Sequence, residues 1–226
     1  MTFEFAIRAT EVMLALAFLQ SSSEHLIGGR RDFILFLPRV LLSGSLLFGL
    51  FSPWVLLALF THSLILLHRF QGPYNGGSDR MGLLILSCLC LAHWCPTQVL
   101  REAAFGYLAV QVALSYFVSG QVKIMNPEWR SGRALQDVFL FSAYPVSEAL
   151  RSVADHRRPM LAASWSVMLF EVMFPLAFVS YAVLIIALSV AAVFHLANAC
   201  LFGLNRFAWI WPASYPSILW LQERLL

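Results

Sequence analysis

The chain is laid out as long apolar runs separated by short polar connections, and the length of each run decides what it can form. A helix crossing a bilayer needs roughly 20 apolar residues at about 1.5 Å of rise each. The stretch from Pro159 to Asn205 carries Glu171 as its only charge, and as one helix it would reach about 70 Å, twice a bilayer. It must fold back, and Pro175 to Ser180 is where the pattern allows it. The stretch from Phe33 to His68, about 54 Å by the same rise, is interrupted at Phe51-Ser52-Pro53, because proline disfavours helix at the residue before it. With the other runs, the pattern predicts seven spans: residues 3–20, 33–51, 53–69, 81–96, 101–122, 159–178 and 180–204.

The segment from Phe207 to Leu221 is broken by Pro212 and Pro216. It reads as an interfacial or re-entrant piece, since Trp209, Trp211, Tyr215 and Trp220 are of the types that favour the headgroup level. Two connections are polar enough to be true loops, His68 to Met81 and Ile124 to Arg158. Within the second, residues 133–153 mix Leu135, Val138, Phe139, Leu150 and Val153 with charges, which predicts a helix lying along the interface. Gly76, Gly77 and Gly132 are expected to serve tight backbone geometry.

Composition supports the same class. With 60% hydrophobic and 12% charged residues and a mean hydropathy of +0.75, the chain has more apolar surface than a soluble domain of its size can bury, and far too much for a disordered one. The expected fold is an all-α integral membrane protein: a bundle of about seven transmembrane helices plus interfacial helices, residues 1–226 forming a single transmembrane helical domain. A net charge of +3, with basic residues scattered singly or in pairs, excludes nucleic acid and leaves membrane lipid as their partner. Cys88, Cys90, Cys95 and Cys200 contain no CxxC pair, so no metal site is predicted. The first twenty residues hold Arg8 and Glu11 and lack a basic start or a small-residue cleavage site, which argues against a cleaved signal peptide. Arg30, Arg31, Arg69, Arg80 and the cations of the Ile124–Arg158 loop lie on one side of the seven-span count, against Arg8 and Arg101 on the other. The positive-inside rule then puts the long loops in the cytoplasm and the N-terminus outside. The expected location is the bacterial inner (cytoplasmic) membrane.

Ionisable groups inside a bilayer are costly and need a partner. Arg8 and Glu11, three residues apart, can neutralise each other on one helix face. Arg39 and Arg101 are expected to snorkel, and His62 and His93 to hydrogen-bond a carbonyl. Glu171 has no basic neighbour in its own run; it pairs across the bundle, stays protonated or lines a polar cavity.

The segment from Tyr116 to Leu135, YFVSGQVKIMNPEWRSGRAL, is different in kind. An aromatic helix end brings Lys123 to the membrane edge, Asn126-Pro127 turns the chain, and Trp129-Arg130 anchors it. Lys123 is the only lysine among fifteen basic residues. A lysine can lose its proton on desolvation and act as a base, which an arginine cannot.

The pattern Y-F-x-x-G-x-x-K-x5-W-R-x-G-x-A-L resembles the signature of the horizontally transferred transmembrane (HTTM) domain family, whose best-understood members are the vitamin K-dependent gamma-glutamyl carboxylases. The Tyr74-Asn75-Gly76-Gly77-Ser78-Asp79 loop and the Phe194–Phe202 histidine helix are similar to two further family blocks. They come in the expected order, and the resemblance covers about residues 30–220. It implies a helical bundle with a polar cavity at its core. In the carboxylases a lysine deprotonates vitamin K hydroquinone, which dioxygen then converts to a base strong enough to take a glutamate gamma-proton. Carried over, the resemblance makes Lys123 and His195 the catalytic pair, base and hydrogen-bonding partner. Asn75, Asp79, Trp129 and Asn198 become the cofactor-binding side chains, and a vitamin K-like quinol the cofactor. The sequence departs in two respects. Lys123 is followed by Ile124 where the animal enzymes have paired lysines, and the chain reaches Leu226 without the large soluble region that binds their protein substrate.

The leading expectation is therefore a small carboxylase-like membrane protein, an enzyme or enzyme subunit working on a quinol or lipid through Lys123. Two alternatives compete with it: a non-catalytic membrane partner in the maturation of a secreted peptide, and a structural subunit of a larger membrane complex. The first would bring a protein partner or peptide substrate.

Overall fold

The structure, a computed structural model, describes residues 1–69, 77–142 and 146–225. Among them the regular elements are helices: α1 (Phe3–Leu26), α2 (Arg30–Leu47), α3 (Ser52–Arg69), α4 (Gly77–Trp94), α5 (Gln98–Met125), α6 (Pro127–Arg130), α7 (Arg133–Phe141), α8 (Glu148–Arg151), α9 (Arg157–Met173), α10 (Tyr181–Phe202), α11 (Asn205–Ile210) and α12 (Tyr215–Leu225). The seven predicted runs correspond to α1 to α5, α9 and α10. Among the described residues, three helical stretches are long and apolar enough to cross a membrane: Gln98–Met125, Arg157–Val179 and Tyr181–Phe202. By contrast α1 carries Glu4, Arg8 and Glu11, and α2 carries Arg30, Arg31, Asp32 and Arg39.

The chain forms two compact units, residues 1–110 with 206–226, and residues 111–205. In the first, α1 buries Phe3, Ile7, Thr10, Leu14 and Phe18 at helical spacing, so one face of the helix serves the core. Phe3, Phe105 and Trp220 meet with ring centroids 5.3 to 5.8 Å apart. Trp220 and Tyr215 are thus buried, because α12 turns its aromatic face into the core. The α2–α3 break falls where Pro53 was expected to force it, with Phe51 at a positive φ of 52°.

The ionisable residues of this unit find protein partners. Glu11, 2% exposed, accepts from Arg8 at 2.8 Å and lies 2.6 Å from His93 Nε2. His93 therefore meets a carboxylate and not the expected carbonyl, since a carboxylate in a dry interior attracts the strongest donor available. Arg8 also donates to the carbonyls of Leu46 and Leu47, at 2.8 and 2.6 Å, among the last acceptors of α2. His62 sits 2.9 Å from the Leu35 carbonyl, as expected. Arg39 does not snorkel: it is 6% exposed, its guanidinium carbon 3.8 Å from the centroid of the Phe18 ring.

In the second unit, side-chain caps set the helix starts. Asn126 accepts from Glu128 N at 2.9 Å with Pro127 opening α6, and Ser180 accepts from Val183 N at 3.3 Å to start α10; each pairs an orphan donor of a first turn. Phe174–Val179 tightens into a 3-10 turn before that cap, which is where the apolar run was expected to fold back. The anticipated helix over 133–153 is divided, because Ser142 closes α7 and Ser147 caps α8. Gly132 has a φ of +82°, and a Cβ there would lie 2.9 Å from Leu161 Cα. At Gly120 a Cβ would lie 2.7 Å from Val172 N, so the missing side chain lets α5 and α9 approach closely. Gly77 makes no such demand: a Cβ would meet Phe207 at 3.5 Å, an ordinary contact. Gly76 lies outside the described residues.

Candidate functional site

Helical spacing puts Tyr116, Ser119 and Lys123 on one face of α5, at i, i+3 and i+7. This face is polar within an otherwise apolar helix. Glu171 of α9, 3% exposed, receives Lys123 Nζ at 2.7 and 2.5 Å on its two oxygens. Lys123 also donates to Ser119 Oγ at 2.7 Å, and Ser119 donates to Glu171 at 3.3 Å. Of the three states open to Glu171, the first holds: it pairs across the bundle. The ammonium keeps a second neighbour, the Trp129 ring, 5.3 Å from its centroid, a distance at which a cation is attracted to the ring face.

Two turns back along the same face, Tyr116 Oη lies 2.6 Å from His195 Nε2. Tyr116 stacks on Phe174 with centroids 4.1 Å apart, and Phe170 and Phe194 complete the aromatic surroundings of the pair. His195 is 3% exposed, so its hydrogen-bonding is decided by protein and not by bulk water.

Beside the lysine end is a cavity of about 650 Å³. Leu135, Val138, Phe141, Val167, Phe194 and Phe202 give it apolar walls, and Lys123, Trp129, Asp137, Ser142 and Asn198 supply its polar points. A mostly apolar space of this size with a few convergent polar groups is the usual form of a small-molecule site. Lys123, Trp129 and Asn198 are thus brought together. His195 is not among the residues lining the cavity; its neighbour Phe194 is. Asp79 belongs to the first unit, where it borders a much smaller cavity with Arg39 and Arg206, and Asn75 lies outside the described residues. Sequence reasoning placed Tyr116 in the distinctive segment without giving it or Ser119 a role in the site, and did not single out Asp137. The signal available for the first two was their spacing from Lys123, and for Asp137 there was none.

Helices with this apolar character around a buried ion pair and a large amphipathic cavity define an all-helical integral membrane protein. Residues 99–220, more than half of the chain, match the family model of the HTTM domain, and the chain belongs to that family. The match takes in the lysine block and the histidine helix and starts after the Tyr74–Asp79 block. Neither a curated protein nor a solved structure matches the chain.

Proposed function

We propose that this HTTM protein spans the membrane seven times and binds an amphipathic, ring-and-tail molecule of quinol type in the cavity beside Lys123, with Lys123 as the base. The observation that carries the reading is the position of Lys123. Lys123 lines a mostly apolar cavity of about 650 Å³ while Glu171 and Ser119 hold its amine. The residues present fit such a ligand: leucine, valine and phenylalanine for a ring and tail, Asn198 and Lys123 for an oxygen. When bound, a quinol supplies an acidic hydroxyl.

The residues divide the work. Trp129 excludes water from one side of the ammonium, and Ser119 fixes its direction. Glu171 can take the resting proton of Lys123, because in a dry site a neutral amine beside a neutral acid competes with the ion pair. The amine so freed accepts the hydroxyl proton. Tyr116 and His195 hold the helix face that delivers Lys123. Carboxylation of a glutamate would enter this reading only through the family resemblance, whereas long loops on the cytoplasmic side of a bacterial inner membrane follow from the arginine distribution.

The test uses the full chain in lipid nanodiscs and a short-chain naphthoquinol. Wild type should bind it and shift its ultraviolet spectrum towards the deprotonated form. Val167→Trp should fill the cavity and lose binding, whereas Lys123→Arg should retain binding and lose the spectral shift. Absence of binding by wild type, or equal binding by Val167→Trp, overturns the proposal.

The ion pair itself favours a second reading. A lysine clamped at 2.5 Å to a buried carboxylate is also what joins two helices in a non-catalytic partner or structural subunit. In that case wild type gives no spectral shift, and Lys123→Arg assembles normally with Lys123→Met impaired.

A further inference from the structure

Helix α6 is a single turn, and one turn has too few internal hydrogen bonds to hold itself. Its last two carbonyls are taken by α9: Trp129 O accepts from Ser164 Oγ at 2.6 Å, and Arg130 O from Trp165 Nε1 at 3.1 Å. The Trp129 carbonyl also accepts from Gly132 N at 3.1 Å, close to its own turn. One turn before Ser164, Leu161 lies against Gly132, where a Cβ would come within 2.9 Å of the Leu161 Cα. Two turns after it, Glu171 takes the amine of Lys123. Helical spacing puts Leu161, Ser164 and Glu171 along one side of α9. One helix side therefore carries both the turn that bears Trp129 and the partner of the lysine that faces the Trp129 ring.

Ser164 uses its hydroxyl differently from its neighbours. Ser166 in the same helix donates back to Ala162 O at 2.8 Å, and Ser189 in α10 to Ile185 O at 2.8 Å, the local bond usual for a hydroxyl within a helix. Ser164, 0% exposed, instead donates across to another element. In a dry setting that bond is strengthened and meets no competition from water, so it fixes where the Trp129 backbone lies. The ring follows the backbone. Its centroid is 5.3 Å from Lys123 Nζ, and its face attracts the ammonium that forms when the amine takes a proton. A displaced turn would carry the ring away from that position and let water reach the amine.

We infer that Ser164 is a positioning residue for the lysine site: through the Trp129 carbonyl it holds the indole beside Lys123 and so sets how far the amine draws the proton of a bound hydroxyl. The inference rests on the reading of Lys123 as the base and adds the element that tunes it. Ser164 is not among the residues lining the cavity, so it acts on the proton and not on the fit of the ligand.

The full chain in lipid nanodiscs is titrated with the short-chain naphthoquinol, and the affinity, the deprotonated fraction of the bound quinol at fixed pH and the unfolding midpoint are read together. Ser164→Ala should bind within about twofold of wild type and show a deprotonated fraction lower by about threefold, the scale of one cation–π contact. Trp129→Ala should lose a similar fraction, and Ser164→Ala added to it should lose no more, because the hydroxyl acts through the ring. If Ser164→Ala does not fold, Ser164→Cys, with a much weaker donor, takes its place in the same comparison. With wild type binding and deprotonating the quinol, an unchanged fraction in Ser164→Ala overturns this inference and leaves Lys123 as the base. A change confined to midpoint or affinity, or a double variant that loses the product of the two single losses, does the same. Absence of binding or of the spectral shift in wild type overturns the reading of Lys123 as the base, and this inference with it.

Discussion

Lys123 Nζ lies 2.7 and 2.5 Å from the two carboxylate oxygens of Glu171, so the single lysine of the chain is answered by the single acidic residue of the apolar stretch 159–205. The pair ties the end of α5 to α9. Removing one member of a buried pair leaves the other charged and dry, which costs far more than removing both. Glu171→Leu should therefore destabilise the protein by on the order of 3 kcal/mol, and Lys123→Met/Glu171→Leu by clearly less. Unfolding in mixed micelles across the double-mutant cycle measures this. Simple additivity of the two single changes would show that the ion pair carries no coupling.

Tyr116→Phe keeps the ring on Phe174 and deletes the oxygen 2.6 Å from His195 Nε2. A hydrogen bond in a buried setting is worth about 1–2 kcal/mol when one partner is lost. The variant should fold with a loss of that size, measured by its denaturation midpoint. Equal stability of Tyr116→Phe and wild type would mean that the bond makes no net contribution.

How much of this was legible before the fold was known depends on the range of the interaction. The helices were legible because an apolar run of 18 or more residues is a local property, and the Pro175–Ser180 reversal and the Phe51–Pro53 break follow from length and proline. Lys123 stood out by being alone. Its partner did not, because Glu171 is 48 residues away and any basic residue across the bundle would have met the same need. The expectation that Arg39 would snorkel failed for a related reason: reach to an interface is a property of the side chain, but burial over Phe18 is decided by α1. The burial of Trp220 and Tyr215 was not legible because aromatic composition fits an interface and a core equally well.

Gly120 tests the close approach of α5 and α9. A methyl group at this position would sit 2.7 Å from Val172 N and 2.8 Å from Glu171 Cβ, backbone and stem atoms that cannot rotate away. Gly120→Ala should cost about 1–3 kcal/mol through overpacking and disturb the Lys123–Glu171 pair with it. Gly106→Ala, whose nearest neighbour would be Leu221 at 3.5 Å, should be neutral or slightly stabilising, since alanine is the better helix former. Denaturation midpoints of the two variants check the contrast; the reverse order would contradict it.

Arg8 shows whether the end of α2 is fastened by charge or by shape. Its guanidinium reaches Glu11 and the carbonyls of Leu46 and Leu47 at once, a fan of donors that an ammonium on a flexible stem does not reproduce. Arg8→Lys should lose most of what Arg8→Met loses, about 1–3 kcal/mol, although it keeps the charge. Full rescue by lysine would reduce the interaction to simple charge neutralisation of Glu11.

The seven-span reading makes a geometrical demand that chemistry can check. Two spans separate the connection after α1 from the one after α3, and two more separate that from the connection after α5, so all three should face one side of the membrane. Ser23, Arg80 and Ser152 are exposed positions in or beside those connections. Cys88, Cys90, Cys95 and Cys200 are free thiols, so they are first replaced by alanine or serine. Single cysteines at the three positions should then react with an impermeant maleimide from the same side of sealed vesicles. Arginine asymmetry predicts labelling from the cytoplasmic side. Labelling of position 80 from the side opposite to position 152 would break the count between α3 and α5. Labelling of all three from outside would keep the count and reverse the orientation, moving Lys123 to the non-cytoplasmic end of α5.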